Sequence, residues 1–230
     1  MESQLTLDLF VDLSRVLHGS RCVGKNPFAL LGAELRPWIE ALLTELGVAD
    51  KPLILGKVSP GAILEGRIYV AEGAHIEPTA YIQGPCYIGP GAEVRHGAYI
   101  RGDVYVGAKA VVGHTSEVKG SILFDEAKAA HFAYLGNSIL GRNVNLGAGT
   151  KLANLPLKRK EVRVVCPLSG RVVSTGLKKF GAIMGDDSQT GCNAVLSPGT
   201  LLLKGTAVMP CVHYRGTLKE GIVRESSRIG

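Results

Sequence analysis

Aromatic residues are scarce in this chain, at 6% of its 230 residues with a single tryptophan, so a core must be filled mainly by Val, Ile, Leu and Ala. The five cysteines, at positions 22, 86, 166, 192 and 211, are odd in number, widely spaced and without a CxxC pair. That argues against both a disulfide framework and a structural zinc site. No apolar run approaches the length of a membrane span, and no charged segment followed by an apolar one opens the chain as in a signal peptide. A reducing cytoplasm is the expected location, with no membrane partner. The net charge is +6, but the basic residues concentrate between Lys158 and Lys179 and in the last fifteen positions, without interleaved aromatics. Small anions such as phosphates or CoA suit that pattern at least as well as nucleic acid, and no nucleic-acid partner is expected.

What is present is a period. Every sixth residue from Val70 is aliphatic: Val70, Ile76, Ile82, Ile88, Val94, Ile100, Val106, Val112 and Val118. Four residues after each comes a mostly small one, from Ala74 and Ala80 through Cys86 to Ser116 and Ile122. The series resumes as Leu140, Leu146 and Leu152, and again as Met184, Thr190, Leu196, Leu202 and Val208. A helix repeats near 3.6 and a half-buried strand at 2, so neither fits. A repeat of six is the mark of a parallel β-helix, in which each hexapeptide forms one flat side of a prism. The predicted fold is therefore mainly β, a parallel β-helix of hexapeptide repeats, left-handed as in hexapeptide proteins, with coils about 4.8 Å apart.

The chain divides accordingly into residues 1–60, a helical cap; 61–212, the β-helix, with an inserted basic loop at 155–182; and 213–230, a tail. Asn26-Pro27 reads as an N-cap followed by proline at the first helical position. Trp38, Ile39, Leu42, Leu43 and Leu46 form a helical stripe ending before Gly47, and Leu5 to Leu17 can form a second short helix. These helices are expected to close the open end of the prism, whose strand edges are otherwise unpaired.

Two departures from the period mark candidate sites. One is the basic insertion. The other follows Phe124, where the next inward residue reads as Tyr134 or Leu140, a slip that contains His131. Residues beside inward positions face out. Arg101 follows Ile100 and Lys119 follows Val118 one coil later, so they should stack as an exposed column of cations, and Asn145, before Leu146, also faces out. Such a column beside a histidine suits a phosphate ligand.

These residues resemble a known family, the acetyltransferase domain of bacterial glucosamine-1-phosphate N-acetyltransferase/UDP-N-acetylglucosamine pyrophosphorylase and its archaeal sugar-nucleotidylyltransferase relatives. The resemblance spans roughly residues 64–212. It is carried by Glu117-Val118-Lys119, HFAYLG from His131, NVNLGAGT from Asn143, Asn154, Lys179-Phe180 and IMGD from Ile183. It implies that His131 is the general base and that Arg101, Lys119, Tyr134, Asn145 and Lys179 hold an amino-sugar phosphate. It further implies that Asn154 completes the site between subunits of a homotrimer, that the Ala148 backbone contacts acetyl-CoA, and that Cys192 stands near acetyl-CoA where bacterial relatives have serine. Departures are Leu155-Pro156-Leu157 in place of Tyr-Asp-Gly, the long insertion before Lys179, and the missing uridylyltransferase domain with its Gly-rich loop. No pyrophosphorylase activity is expected.

The implied reaction is acetyl transfer from acetyl-CoA, the co-substrate, to a hexosamine 1-phosphate. An amine attacking a thioester must lose a proton, which an imidazole is suited to accept near neutral pH. Cations fixing the phosphate orient the amine, and a backbone N–H or Asn donor stabilises the oxyanion. No metal is expected, and no covalent intermediate is needed; Cys192 reads as a small buried filler rather than a reactive thiol. Two alternatives stay open: a non-catalytic trimer that binds sugar phosphates or partners a separate nucleotidylyltransferase, and a γ-carbonic-anhydrase-like hydratase. The second needs imidazoles converging on zinc, for which His96, His114 and His131 lack the close pair.

Overall fold

The structure, a computed structural model, describes residues 5–227. The first four residues of the expected cap and the last three of the expected tail lie outside the described residues. From Leu53 to Val223 the chain winds through short parallel strands that stack into three sheets of nine, nine and eight strands. These form the A, B and C faces of a left-handed β-helix. The paired coils thus begin before residue 61 and continue past 212. The flanking coils use partly buried inward residues, Val58 and Leu64 at one end and Tyr214, Leu218 and Val223 at the other, which the strict period does not pick out.

The six-residue series points inward as read. Val70, Ile76, Ile82 and their successors to Val118 are fully buried in one continuous aliphatic column, with Ala74, Ala80 and Ala92 easing the corners. The slip after Phe124 is resolved differently from the expectation. Leu123 is inward five positions after Val118, Ala129 and Leu135 follow at six, and Leu140 comes five later. Tyr134 therefore faces out, next to inward Leu135. The coils do not break there; two successive turns each lose one residue at the corner from C to A. Buried Ser121 and Ser138 occupy that corner: Ser121 Oγ donates to Lys119 O and accepts from Ser138 N, and Ser138 Oγ donates to Gly136 O and accepts from Ala182 N. The hydroxyls satisfy backbone groups that the shortened side would strand.

The N-terminal segment lies along a face of the prism rather than across its open end. Outward positions of the A face form an apolar column, with Tyr69, Tyr87 and Tyr105 stacked at 5.5 and 4.9 Å and followed by Ile122, Ile139, Ile183 and Leu201. Water-exposed, such a column would be costly at about 1.5–3 kcal/mol per large side chain, and residues 5–48 cover it. Asn26 caps the helical turn Pro27–Ala29 by accepting from Phe28 N and Ala29 N, and a π-turn kinked at Gly32 leads into the helix Leu35–Glu45. That helix buries Leu35, Trp38, Ile39, Leu42 and Leu43, with Trp38 packed on Tyr105. Residues 5–17 form two single 3-10 turns instead of one helix, because the Asp12 carboxylate accepts from Ser14 N and holds its own backbone extended. Two further carboxylate contacts fasten this strap: Asp125 accepts from Leu17 N, and buried Asp186 accepts from Asp12 N.

The insertion leaves the C face after Leu152 and rejoins the A face at Ala182. Between them Arg163–Val165 pairs antiparallel with Val172–Ser174, and Val162 and Val164 join the apolar cluster over the A face. Among the described residues no helix is long and apolar enough to cross a membrane.

Candidate active site

The corner between the B and C faces is built by residues in the left-handed region, among them Thr115, Phe132, Gly149 and Asn193. Each donates its N–H to a carbonyl one coil back: Thr115 to His96 at 3.3 Å, Phe132 to His114 at 2.7 Å, Gly149 to His131 at 3.0 Å and Asn193 to Ala148 at 2.7 Å. His96, His114, His131, Ala148 and Cys192 therefore stand in one column along this corner, with His114 and His131 in register. His131 is exposed, outside the aliphatic shaft, and its ring makes no hydrogen bond among the described residues. Beyond it the column continues with the small Ala148 and Cys192, while the exposed Phe132 ring and the Asn193 side chain lie over Gly149 beside them. Cys192 is exposed, not the buried filler expected, because a corner residue preceding a left-handed position points away from the shaft. The rings of His96 and His114 stack at 4.0 Å. The three histidines run parallel up a column and do not converge on a point, which disfavours the hydratase reading.

The C face carries the cations. Val118 pairs with Ile100, so Lys119 stands over Arg101, and Lys119 in turn lies opposite Gly136. The row of side chains is interrupted there by a buried glycine, over which Tyr134 and Asn154 meet. A Cβ on Gly136 would sit 2.5 Å from Asn154 Nδ2 and 2.8 Å from Tyr134 Oη, so glycine is required for those two groups to meet there. Tyr134 Oη donates to Asn154 Oδ1 at 3.3 Å, and Asn154 Nδ2 donates to Asn137 Oδ1 at 2.7 Å. Burial pushes the Tyr134 phenol above its ordinary value, with Glu117 adding to the effect and Arg101 opposing it. The hydroxyl thus remains a donor through the neutral range. Lys179 is exposed, one residue before Phe180, whose N–H bonds Asn154 O at 2.9 Å. The insertion's return therefore brings Lys179 beside Asn154.

Arg101, Lys119, Tyr134, Asn154 and Lys179 are thus gathered on the C face and its corner toward A, and His131, Ala148 and Cys192 on the corner toward B, three residues ahead of Tyr134. Asn145 stands apart. It lies on the B face opposite Lys128 and Gln189, three positions before the corner. Within one chain it is Asn145 rather than Asn154 that is separated from the Tyr134 group.

Two groups escaped sequence reasoning. Glu117 Oε1 pairs with Arg101 Nη1 at 2.7 Å, while the guanidinium also lies 5.6 Å from the Tyr99 ring centre. An incoming phosphate must therefore compete with a carboxylate for Arg101. Lys151 faces Tyr134 across the sheet and donates to Gly149 O at 2.6 Å. Both were readable by the rule that found Arg101, since Glu117 precedes inward Val118 and Lys151 precedes inward Leu152.

Residues 82–169 match the family described as the GMPPB C-terminal domain. The bifunctional protein GlmU of Methanococcus aeolicus is 38% identical over 146 residues, which is 64% of this chain and 35% of that protein. A bifunctional sugar-1-phosphate nucleotidylyltransferase/acetyltransferase of Sulfurisphaera tokodaii is 39% identical over 79 residues, 34% of this chain and 19% of that one. The resemblance implied by the motifs holds. The chain corresponds to about a third or less of the length of these curated relatives. Among solved structures, the UDP-N-acetylglucosamine acyltransferase of Francisella novicida superposes with a TM-score of 0.50 at 11% identity, over 70% of this chain and 60% of that one, and it supports the same fold.

Proposed function

We propose that this protein is an acetyl-CoA-dependent N-acetyltransferase acting on a hexosamine 1-phosphate of the glucosamine 1-phosphate kind, in the synthesis of nucleotide sugars. The reading is supported by one face that carries both parts: an exposed imidazole without a hydrogen-bond partner at its corner toward B, and Lys119, Tyr134, Asn154 and Lys179 grouped around Gly136 across the C face to its corner toward A. Similarity to a bifunctional sugar-1-phosphate nucleotidylyltransferase/acetyltransferase and to a bifunctional GlmU protein adds to it.

In this reading Arg101, Lys119 and Lys179 hold the phosphate and Tyr134 and Asn154 orient the sugar, so that the amine faces His131. His131 takes the amine proton as nitrogen attacks the thioester carbon. The carbonyl π electrons move to oxygen, a backbone N–H near Ala148 steadies that oxyanion, and collapse expels the CoA thiolate. The acetyl unit lies along the corner of Ala148 and Cys192, beside the exposed Phe132 ring. Asn145, too far along the B face to serve its own chain's Tyr134 group, reaches the site of a neighbouring subunit in a homotrimer. A reducing cytoplasm suits the five free cysteines.

The test is thiol release from acetyl-CoA with glucosamine 1-phosphate, galactosamine 1-phosphate and the corresponding free sugars. Release with a 1-phosphate and none with the free amine is expected. Binding of the sugar phosphate with no thiol release would instead favour a non-catalytic trimer. Mixing inactive His131→Ala and Asn145→Ala subunits should restore part of the activity, because some sites then receive both intact residues. No restoration after confirmed subunit exchange would remove the shared-site assignment while leaving the chemistry standing.

A further inference from the structure

The basic insertion and the last coils, which carry Arg215, are brought together by the fold. The hairpin of the insertion lies against the last coils where the C face turns toward A. Between them opens a cleft of about 240 Å³ whose lining includes Arg163, Val165, Val172, Pro198, Arg215 and Gly216. The contact is close: a Cβ on Gly199 would sit 2.8 Å from Val162 Cγ1, and Thr217 Oγ1 donates to Val165 O at 2.5 Å. Val165 and Val172 nevertheless stay 37% and 55% exposed, an apolar wall shown to water beside two guanidinium groups. Neither Arg163 nor Arg215 forms an ion pair among the described residues. The acid nearest Arg163 along the hairpin, Glu161, accepts from Ser174 Oγ and Gly176 N on Oε1, and those bonds, with a weaker contribution from the Arg163 charge, hold it below the usual carboxylate range.

We infer that this cleft binds a nucleotide carrying two or more phosphates. Guanidinium forks match phosphate oxygens bidentately, and two of them at one cleft suit a pyrophosphate unit better than a single phosphate. The valines and Pro198 give a flat base an apolar surface to lie on, and the volume is below that of a full drug-sized pocket, about right for part of a mononucleotide. The cleft is at the corner between C and A, whereas His131, Ala148 and Cys192 run along the corner between B and C. Asn154 and Lys179 share the corner between C and A, but none of the residues lining the cleft belongs to their group or to the His131 corner; it is a second site, and it does not depend on acetyl transfer. The two are joined along the chain: the hairpin leaves the prism just after Asn154 and returns at Lys179. A ligand that fixes the hairpin also fixes those two residues.

Isothermal titration of the full chain with UDP, UTP, ADP, inorganic pyrophosphate and CoA tests this. Nucleoside di- or triphosphates should bind, pyrophosphate more weakly, with affinity falling as salt rises. Arg163→Ala and Arg215→Ala should each weaken binding by about tenfold or more, Val172→Glu should abolish it, and His131→Ala should leave it unchanged. Arg163→Lys and Arg215→Lys, which keep the charge, guard against loss through misfolding and should retain part of the affinity. The inference is overturned if no nucleotide binds, if both alanine variants bind as the parent does, or if pyrophosphate binds as tightly as the nucleotides.

Discussion

The A and C faces present the same inward residues to the shaft and opposite outward residues to the outside. On the A face the outward column is Tyr69, Tyr87, Tyr105, Ile122 and Ile139, all packed under the N-terminal strap. On the C face the corresponding outward positions carry Tyr81, Tyr99, Arg101, Glu117, Lys119, Tyr134 and Lys151, left uncovered by the strap. The inward period specifies the prism, and it is nearly indifferent to function. What each face does is written in the residues between the repeats.

That contrast can be broken by cutting one tyrosine from each column. Tyr105 is fully buried, stacked on Tyr87, in contact with Trp38, and donating to Leu17 O at 2.9 Å. Tyr105→Ala should cost about 3–5 kcal/mol in urea unfolding. Tyr99→Ala, on the C face, should cost no more than about 1 kcal/mol. Equal losses would mean that the strap is not what makes the faces differ.

A smaller effect is expected from Gly136→Ala. The new methyl group meets Asn154 and the Tyr134 hydroxyl, so KM for the sugar phosphate should rise about tenfold, as for a lost hydrogen bond to a charged ligand, with little change in melting temperature. If KM is unmoved while stability falls, the glycine is structural only.

The smallest effect concerns His18, wedged edge-on against Tyr87 and Tyr105 with Nδ1 3.2 Å from the Tyr105 hydroxyl. Burial first, then Arg21, lowers its folded pKa below the ordinary 6.5. The unfolded chain therefore takes up the proton first as pH falls through 6.5, and stability declines from there down to the folded value, with no further contribution below it. His18→Phe should flatten that decline in a pH series of melting temperatures; an unaltered slope would place the pH sensitivity elsewhere.

Much of the shaft was legible because Val and Ile recur without exception from Val70 to Val118. The turn through His131 was not. Ala129 fills the inward position where a larger aliphatic was sought, and two sides of five residues shift the register by one each time. The strap's position was misread for a related reason: attention to inward residues passed over Tyr87, Tyr105 and Ile122 just beside them, whose apolar character calls for a cover. The cationic column was read correctly from the same neighbour rule, yet Glu117 was passed over as part of a motif, although its charge faces the same way as Lys119. Asn145 and Asn154 could not be separated by sequence spacing, since which face a residue reaches depends on where each short side falls.

The most direct measurement is the rate of CoA release from acetyl-CoA in the presence of glucosamine 1-phosphate, compared between the parent protein and His131→Ala. Loss of the general base should slow release by about a hundredfold to ten-thousandfold while acetyl-CoA and sugar phosphate still bind. Release by His131→Ala at the parent rate would contradict the assignment of this corner as the place where the acetyl group is transferred.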